Sequence, residues 1–185
     1  MTEYSIRKTE LKDLDEVMEI YAYARRFMAE HGNPRQWGPT CWPPAELIRK
    51  DIALGKSYLC VGKDGARKNG QELSGPEEKK ICAVFYYDHG PQPEPGYAAI
   101  VEGNWDSLLP YGVVHRIAAA EGTKGTGAFC LNWAFEKSGH LKIDTHPDNK
   151  VMQNLLKKLG FEYRGIIYVE EDDDPRYAYE KTGRE

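Results

Sequence analysis

Moving a proton near neutral pH calls for an imidazole or a carboxylate with a shifted pKa. Four residues have the type and setting for that work: His115, Asp144, His146 and Glu102. His115 lies in the run Val113-Val-His-Arg-Ile-Ala-Ala-Ala120, which reads as a strand. It is either a base facing a cleft or a core histidine bonded to backbone. Asp144 and His146 are two residues apart, and in an extended chain that places them on one face. They are either a catalytic pair or a pair that fixes the loop and caps the helix after Pro147. Glu102 sits in a long loop before the His115 strand.

The same strand runs into Gly122-Thr-Lys-Gly-Thr-Gly127 and then an amphipathic helix. Glycines let backbone amides approach a ligand, and the first amides of a helix have no intrahelical partner. With Lys124 and the helix dipole, such a turn favours phosphate. It can equally be a tight strand-to-helix connection that needs glycine. The P-loop spacing G-x-x-x-x-G-K-[ST] is absent, because the lysine precedes Gly125. The dinucleotide pattern G-x-G-x-x-G also fails on spacing, and it belongs in a first βαβ unit.

These groups must be positioned by the elements around them. Residues 5–8 read as a strand and 13–30 as a helix, with Leu14, Val17, Met18, Tyr21, Ala24 and Met28 on one face and a capping box from Asp13 to Glu16. A second helix fits 44–54. Strands fit 57–62 and 80–87, joined by a polar, exposed loop over 64–78. A long loop over 88–110 carries four prolines together with Tyr97, Ile100 and Trp105. The chain then alternates: strand 111–120, helix 126–138, strand 141–145, and a helix from about 148 with Val151, Met152, Leu155, Leu156 and Leu159 on one face. Strands 161–169 and 177–181 flank an acidic turn, read as a solvated hairpin tip or a contact for a cationic substrate. The pattern predicts one mixed α/β domain over residues 1–185.

The turn resembles the acyl-CoA motif of the GNAT superfamily of N-acetyltransferases, a strand followed by Q/R-x-x-G-x-G/A and a helix. Asn149-Lys-Val-Met-Gln-Asn-Leu-Leu-Lys-Lys-Leu-Gly160-Phe161 is similar to the family's N…A…LGF segment. The resemblance follows the element order of the whole chain and is most specific after residue 110. It implies a mixed, mostly antiparallel sheet of about seven strands, splayed between the fourth and fifth, with about four helices. Residues 1–56 would form the acceptor side and 111–161 the acyl-CoA core. Backbone at Ile117, Ala118 and Ala119 would meet the pantetheine arm and polarise the thioester. The amides of Gly122, Thr123, Lys124, Gly125, Thr126 and Gly127 would take the pyrophosphate, and Asn149 the pantetheine. Phe27, Trp37, Tyr97 and Trp105 would meet the acceptor, unless they merely cover the core. The implied reaction moves an acetyl group from acetyl-CoA to a primary amine of a small molecule or peptide by direct attack.

The chain departs from the family twice. Gly122 stands where Gln or Arg normally opens the turn. Leu156 occupies the position, counted back from Phe161, where many members carry a tyrosine that protonates the leaving thiolate. Leucine donates no proton, so a non-catalytic acyl-CoA-binding or sensing protein is the competing reading.

Composition bounds the rest. Net charge is −4, which argues against a nucleic-acid partner. No apolar run approaches the roughly 20 residues that span a bilayer, and the N-terminus lacks an apolar signal region. Cys41, Cys60, Cys82 and Cys130 form no C-x-x-C pair and read as small buried hydrophobes of a cytoplasmic protein, with no metal site. Oligomeric state, a homodimer included, stays open.

Overall fold

A computed structural model describes residues 3–62, 80–169 and 174–183 of the chain. Seven strands form one sheet: β1 (Tyr4–Lys8), β2 (Ser57–Gly62), β3 (Lys80–Gly90), β4 (Tyr111–Ala119), β5 (His140–Thr145), β6 (Glu162–Tyr168) and β7 (Pro175–Thr182). Four α-helices accompany them: α1 (Leu14–Glu30), α2 (Ala45–Ala53), α3 (Thr126–Ser138) and α4 (Lys150–Lys158). The strand order is β1-β2-β3-β4-β5-β7-β6. Every neighbouring pair is antiparallel except β4 and β5. That parallel pair keeps register only at Gly112–Leu141 and Val113–Lys142. Beyond Val113 the strands part, as the resemblance implies.

Alternation along the strands divides the core between two helical layers. Leu59, Val61, Ile81 and Val84 face α1 and α2, where Leu14, Val17, Tyr21 and Ile48 are buried. Cys60, Cys82 and Phe85 face the other side with Cys130 and Leu131 of α3 and Leu156 of α4. Cys60, Cys82 and Cys130 are thus buried. Cys41 differs from expectation: it is exposed in the α1–α2 loop.

Other local expectations need correction. Asp13 does not cap α1 through its side chain. It instead accepts two bonds from Arg7, at 2.7 and 2.9 Å, and one from the Glu10 amide at 2.8 Å. The 3-10 turn Leu11–Asp13 therefore precedes the helix. β3 continues to Gly90, because Asp88, His89 and Gly90 pair with Val113, Gly112 and Tyr111. The expected loop over 64–78 lies outside the described residues, as does most of the acidic turn.

β4 carries a bulge. Val84 opposes Ala118 and Tyr86 opposes His115, so Arg116 and Ile117 together face Phe85. Arg116 takes φ 53°, a left-handed conformation that a side chain disfavours.

Candidate active site

The splay between β4 and β5 opens into a cleft of about 650 Å³, a volume typical of small-molecule sites. Val114, His115, Arg116 and Ile117 line one wall, and Ile143, Asp144 and Thr145 the other. The α1–α2 loop contributes Arg35, Gln36, Trp37 and Trp42, while Glu94 to Tyr97 enter from the β3–β4 loop. Asn149 and Met152 of the α4 start complete it with Tyr168, Asp174 and Arg176.

Two carboxylates converge on one imidazole. His115 Nε2 lies 3.0 Å from Glu94 Oε2, and Nδ1 lies 3.7 Å from Asp144 Oδ2. The His115 hydrogen bond holds the Glu94 carboxyl below its ordinary range, against the opposing effect of burial. Tyr97, brought in by a short 3-10 turn (Pro95–Ala98), donates its hydroxyl to Asp144 Oδ2 at 2.7 Å. Burial, then the Asp144 charge, pushes the Tyr97 phenol well up, so it remains a donor. Trp105 Nε1 donates to the Tyr97 carbonyl at 2.7 Å and so supports that turn from behind.

Of the residues singled out in the sequence, the cleft brings together His115, Asp144, Ile117, Asn149, Trp37 and Tyr97. Of the acid–base and acceptor candidates four lie off its lining, as do Ala118, Ala119 and residues 122–127. His146 follows the end of β5 and is buried; its Nε2 is 3.2 Å from Asp174 and its Nδ1 accepts the Asp148 amide at 3.1 Å. It therefore fixes the loop before α4, the structural alternative considered above. Glu102 is exposed in a left-handed conformation beside the Val101–Ile166 bridge. Phe27 stacks on His31 at 3.9 Å along α1. Trp105 packs with Tyr97, 5.3 Å between ring centres. Glu94 and Gln36 were not singled out. Glu94 sits between prolines with no periodicity to reveal its direction.

At the far end of β4, Gly122 and Gly125 take φ 74° and 76°. Thr123 Oγ1 anchors the turn on the Ala120 carbonyl at 2.7 Å. Gly125 caps α3 without a side-chain bond, leaving the first amides of a 13-residue helix without a side-chain cap. A Cβ placed at Gly122 or Gly125 would meet nothing within 4 Å, so the space over both is open. Gly127 has a different reason: its Cβ would approach Leu155 at 3.1 Å, where α3 and α4 touch. Inside the cleft, the buried Thr145 Oγ1 has no hydrogen-bond partner among the described residues. Asn149 Oδ1 accepts the Met152 amide and caps α4, and its Nδ2 donates to Gln36 at 3.1 Å. A cleft walled by β4 and holding an orphaned hydroxyl, with a helix N-terminus lacking a side-chain cap at the far end of the same strand, fits a long anionic thioester such as acetyl-CoA.

No protein-family model matches the chain, and no curated protein matches it in sequence. Solved structures do. A GNAT-family acetyltransferase from Streptococcus agalactiae is 26% identical with a TM-score of 0.79, covering 98% of this chain and 96% of its own. The chain belongs to the GNAT superfamily. A GNAT-family acetyltransferase from Listeria monocytogenes shares the fold at 15% identity and TM-score 0.63, covering 96% and 94%. So does Arabidopsis thaliana NAA60, solved with acetyl-CoA, at 11% identity and TM-score 0.63, covering 97% and 99%. The seven-stranded sheet, parallel and splayed at β4–β5, is the GNAT sheet. Among the described residues, no group of three or more His, Cys, Asp or Glu could hold a metal ion. No helix among them is long and apolar enough to cross a membrane.

Proposed function

We propose that the protein transfers an acetyl group from acetyl-CoA to a primary amine of a small molecule or peptide, with His115 as the base. The observation that carries this reading is the convergence of Glu94 and Asp144 on His115 where β4 and β5 part. A carboxylate accepts, so Nε2–H of a neutral His115 donates to Glu94 and the lone pair stays on Nδ1. The amine enters beside Nδ1 and gives up its proton there as nitrogen attacks the thioester carbon; collapse of the tetrahedral adduct then breaks the C–S bond and releases CoA as a thiolate that takes its proton from water. Asp144, held by the Tyr97 hydroxyl, then stabilises the imidazolium. Backbone at Ile117 and Ala118 polarises the carbonyl, and Ala119 extends that edge toward the pyrophosphate amides of residues 122–127. Asn149 borders the pantetheine path. Orientation and carbonyl polarisation supply much of the rate. Trp37 and Tyr97 border the acceptor, and the reaction belongs in the cytoplasm.

Leu156 supports a second reading, a protein that binds acyl-CoA without catalysis. It is fully buried among the α3–α4 core residues and does not line the cleft. No proton donor stands at the position where many GNAT members place a tyrosine.

Thermal shift with acetyl-CoA, followed by thiol release across a panel of primary amines, separates the readings. Acetyl transfer expects stabilisation, amine-dependent thiol release, and a loss of about 10²–10⁴-fold in His115→Ala that shrinks at high pH, where the amine is already neutral. Stabilisation without thiol release for any amine would leave the binding protein. No stabilisation at saturating ligand would remove both.

A further inference from the structure

Among the described strand residues that carry a side chain, Arg116 is the one with positive φ, and it lies between His115 and Ile117 on the cleft wall. A left-handed residue in a strand persists where its surroundings over-determine it. Three elements do so here. The guanidinium reaches Asp51 of α2, with Nη2 2.8 Å from Oδ2. It also stacks over Tyr86 of β3, 4.7 Å from the ring centre. The Arg116 carbonyl accepts the Tyr21 hydroxyl of α1 at 2.9 Å.

Both helix residues are hard to explain by packing. Tyr21 is 1% exposed within the apolar layer between α1 and the sheet, where phenylalanine would fill nearly the same space. Asp51 is 4% exposed, and burying a carboxylate is unfavourable unless it is paired. Each polar group instead ends on Arg116, the described strand residue with a side chain and a left-handed backbone. Tyr21 also meets Trp37 edge-on, ring centres 5.8 Å apart, and Trp37 borders the cleft.

We propose that Tyr21 and Asp51 are positioning residues that hold Arg116 in its left-handed conformation and so aim the β4 backbone amides at the thioester carbonyl. The inference rests on the acetyl-transfer reading above and adds that the acceptor-side helices set the geometry of thioester activation. An amide misdirected by a fraction of an ångström still completes the sheet, yet polarises the carbonyl less. Removing the Tyr21 hydroxyl frees one side of the bulge, and removing the Asp51 charge frees the other.

The test uses the full chain with acetyl-CoA labelled with carbon-13 at the acetyl carbonyl. The stretch of the bound carbonyl is read by difference infrared spectroscopy, and turnover by thiol release with the panel amine that wild type uses fastest. Wild type should lower the stretch relative to free acetyl-CoA. In Tyr21→Phe the stretch should move back toward the free value and kcat should fall about tenfold, the rate equivalent of one hydrogen bond. KM for acetyl-CoA and the pH profile should hold, since no titrating group is lost. Arg116→Gly guards against misfolding, because glycine adopts this φ without strain. It should fold and show a larger loss of the carbonyl shift, whereas Asp51→Asn, which keeps an oxygen for the guanidinium, should lose less than Asp51→Ala. Wild-type stretch and kcat in both Tyr21→Phe and Arg116→Gly, with only the unfolding midpoint lowered, would overturn the proposal. A wild type that binds acetyl-CoA but shows neither a shifted stretch nor thiol release would instead overturn the acetyl-transfer reading beneath it.

Discussion

Glu180→Ala should remove about 3–5 kcal/mol of stability, the usual cost of deleting one partner from a buried ionic group. The Glu180 carboxylate on β7 is fully buried, and several donors converge on it. His140 Nε2 lies at 2.7 Å, and the Asp106 and Ser107 amides at 2.6 and 3.3 Å. Lys142 Nζ stands at 3.9 Å, in a cage of Trp105 and Tyr111 with ring centres at 4.5 and 4.3 Å. Arg164 Nε is 3.1 Å away as an ion pair without hydrogen-bond alignment. Alanine strands Lys142, which is 3% exposed, and leaves both loop amides unanswered. For a chain of this length each kcal/mol lowers Tm by about 2–4 °C, so the midpoint should drop roughly 6–20 °C. Glu180→Gln keeps an oxygen for the amides but no charge for Lys142, and should fall between. The pH dependence has a definite sign. Burial pushes Glu180 up, but the His140 hydrogen bond, the Asp106 amide and Lys142 outweigh it and hold the group below the usual carboxylate range. Its contribution is therefore complete above the unfolded-state value and fades as pH falls through the lower folded-state value. The difference between wild type and Glu180→Ala should close over that acidic range in thermal and urea unfolding. A Glu180→Ala midpoint within about 2 °C of wild type at neutral pH would refute the reasoning.

Two further outcomes bear on the site. Lys124→Ala should weaken acetyl-CoA binding about 2–5-fold, the effect of one exposed cation beside a helix N-terminus, and the difference should shrink with added salt; equal Kd values at low salt would show that Lys124 does not meet the phosphates. Leu156→Tyr should lower stability by about 1–3 kcal/mol through overpacking, without raising thiol release; a rise in thiol release would mean that the family's usual position can reach the cleft after all.

Much of the fold is legible in the residues themselves. The apolar stripe of α4, the alternation along β2 and β3 and the glycines after β4 each name an element, because backbone geometry imposes a period of 3.6 or 2 on whatever must be buried. Gly160 and Phe161, read with Asn149, carried the resemblance and with it the splayed sheet. His115 and Asp144 were legible as candidates because their strands were. What the residues could not reveal is which side chains meet. Glu94 lies 21 residues before His115 in an irregular proline-bearing loop, and its carboxylate reaches the imidazole only through the path that loop takes. His146 looks equivalent to Asp144 by alternation, yet β5 ends at Thr145, and one residue past a strand the alternation no longer holds. The bulge at Arg116 is equally silent, since nothing in its type announces positive φ; Tyr21, Asp51 and Tyr86 impose it from three other elements. Local periodicity determines which elements form and which faces they bury. The contacts within the cleft join residues tens of positions apart, and their directions are decided when the layers pack.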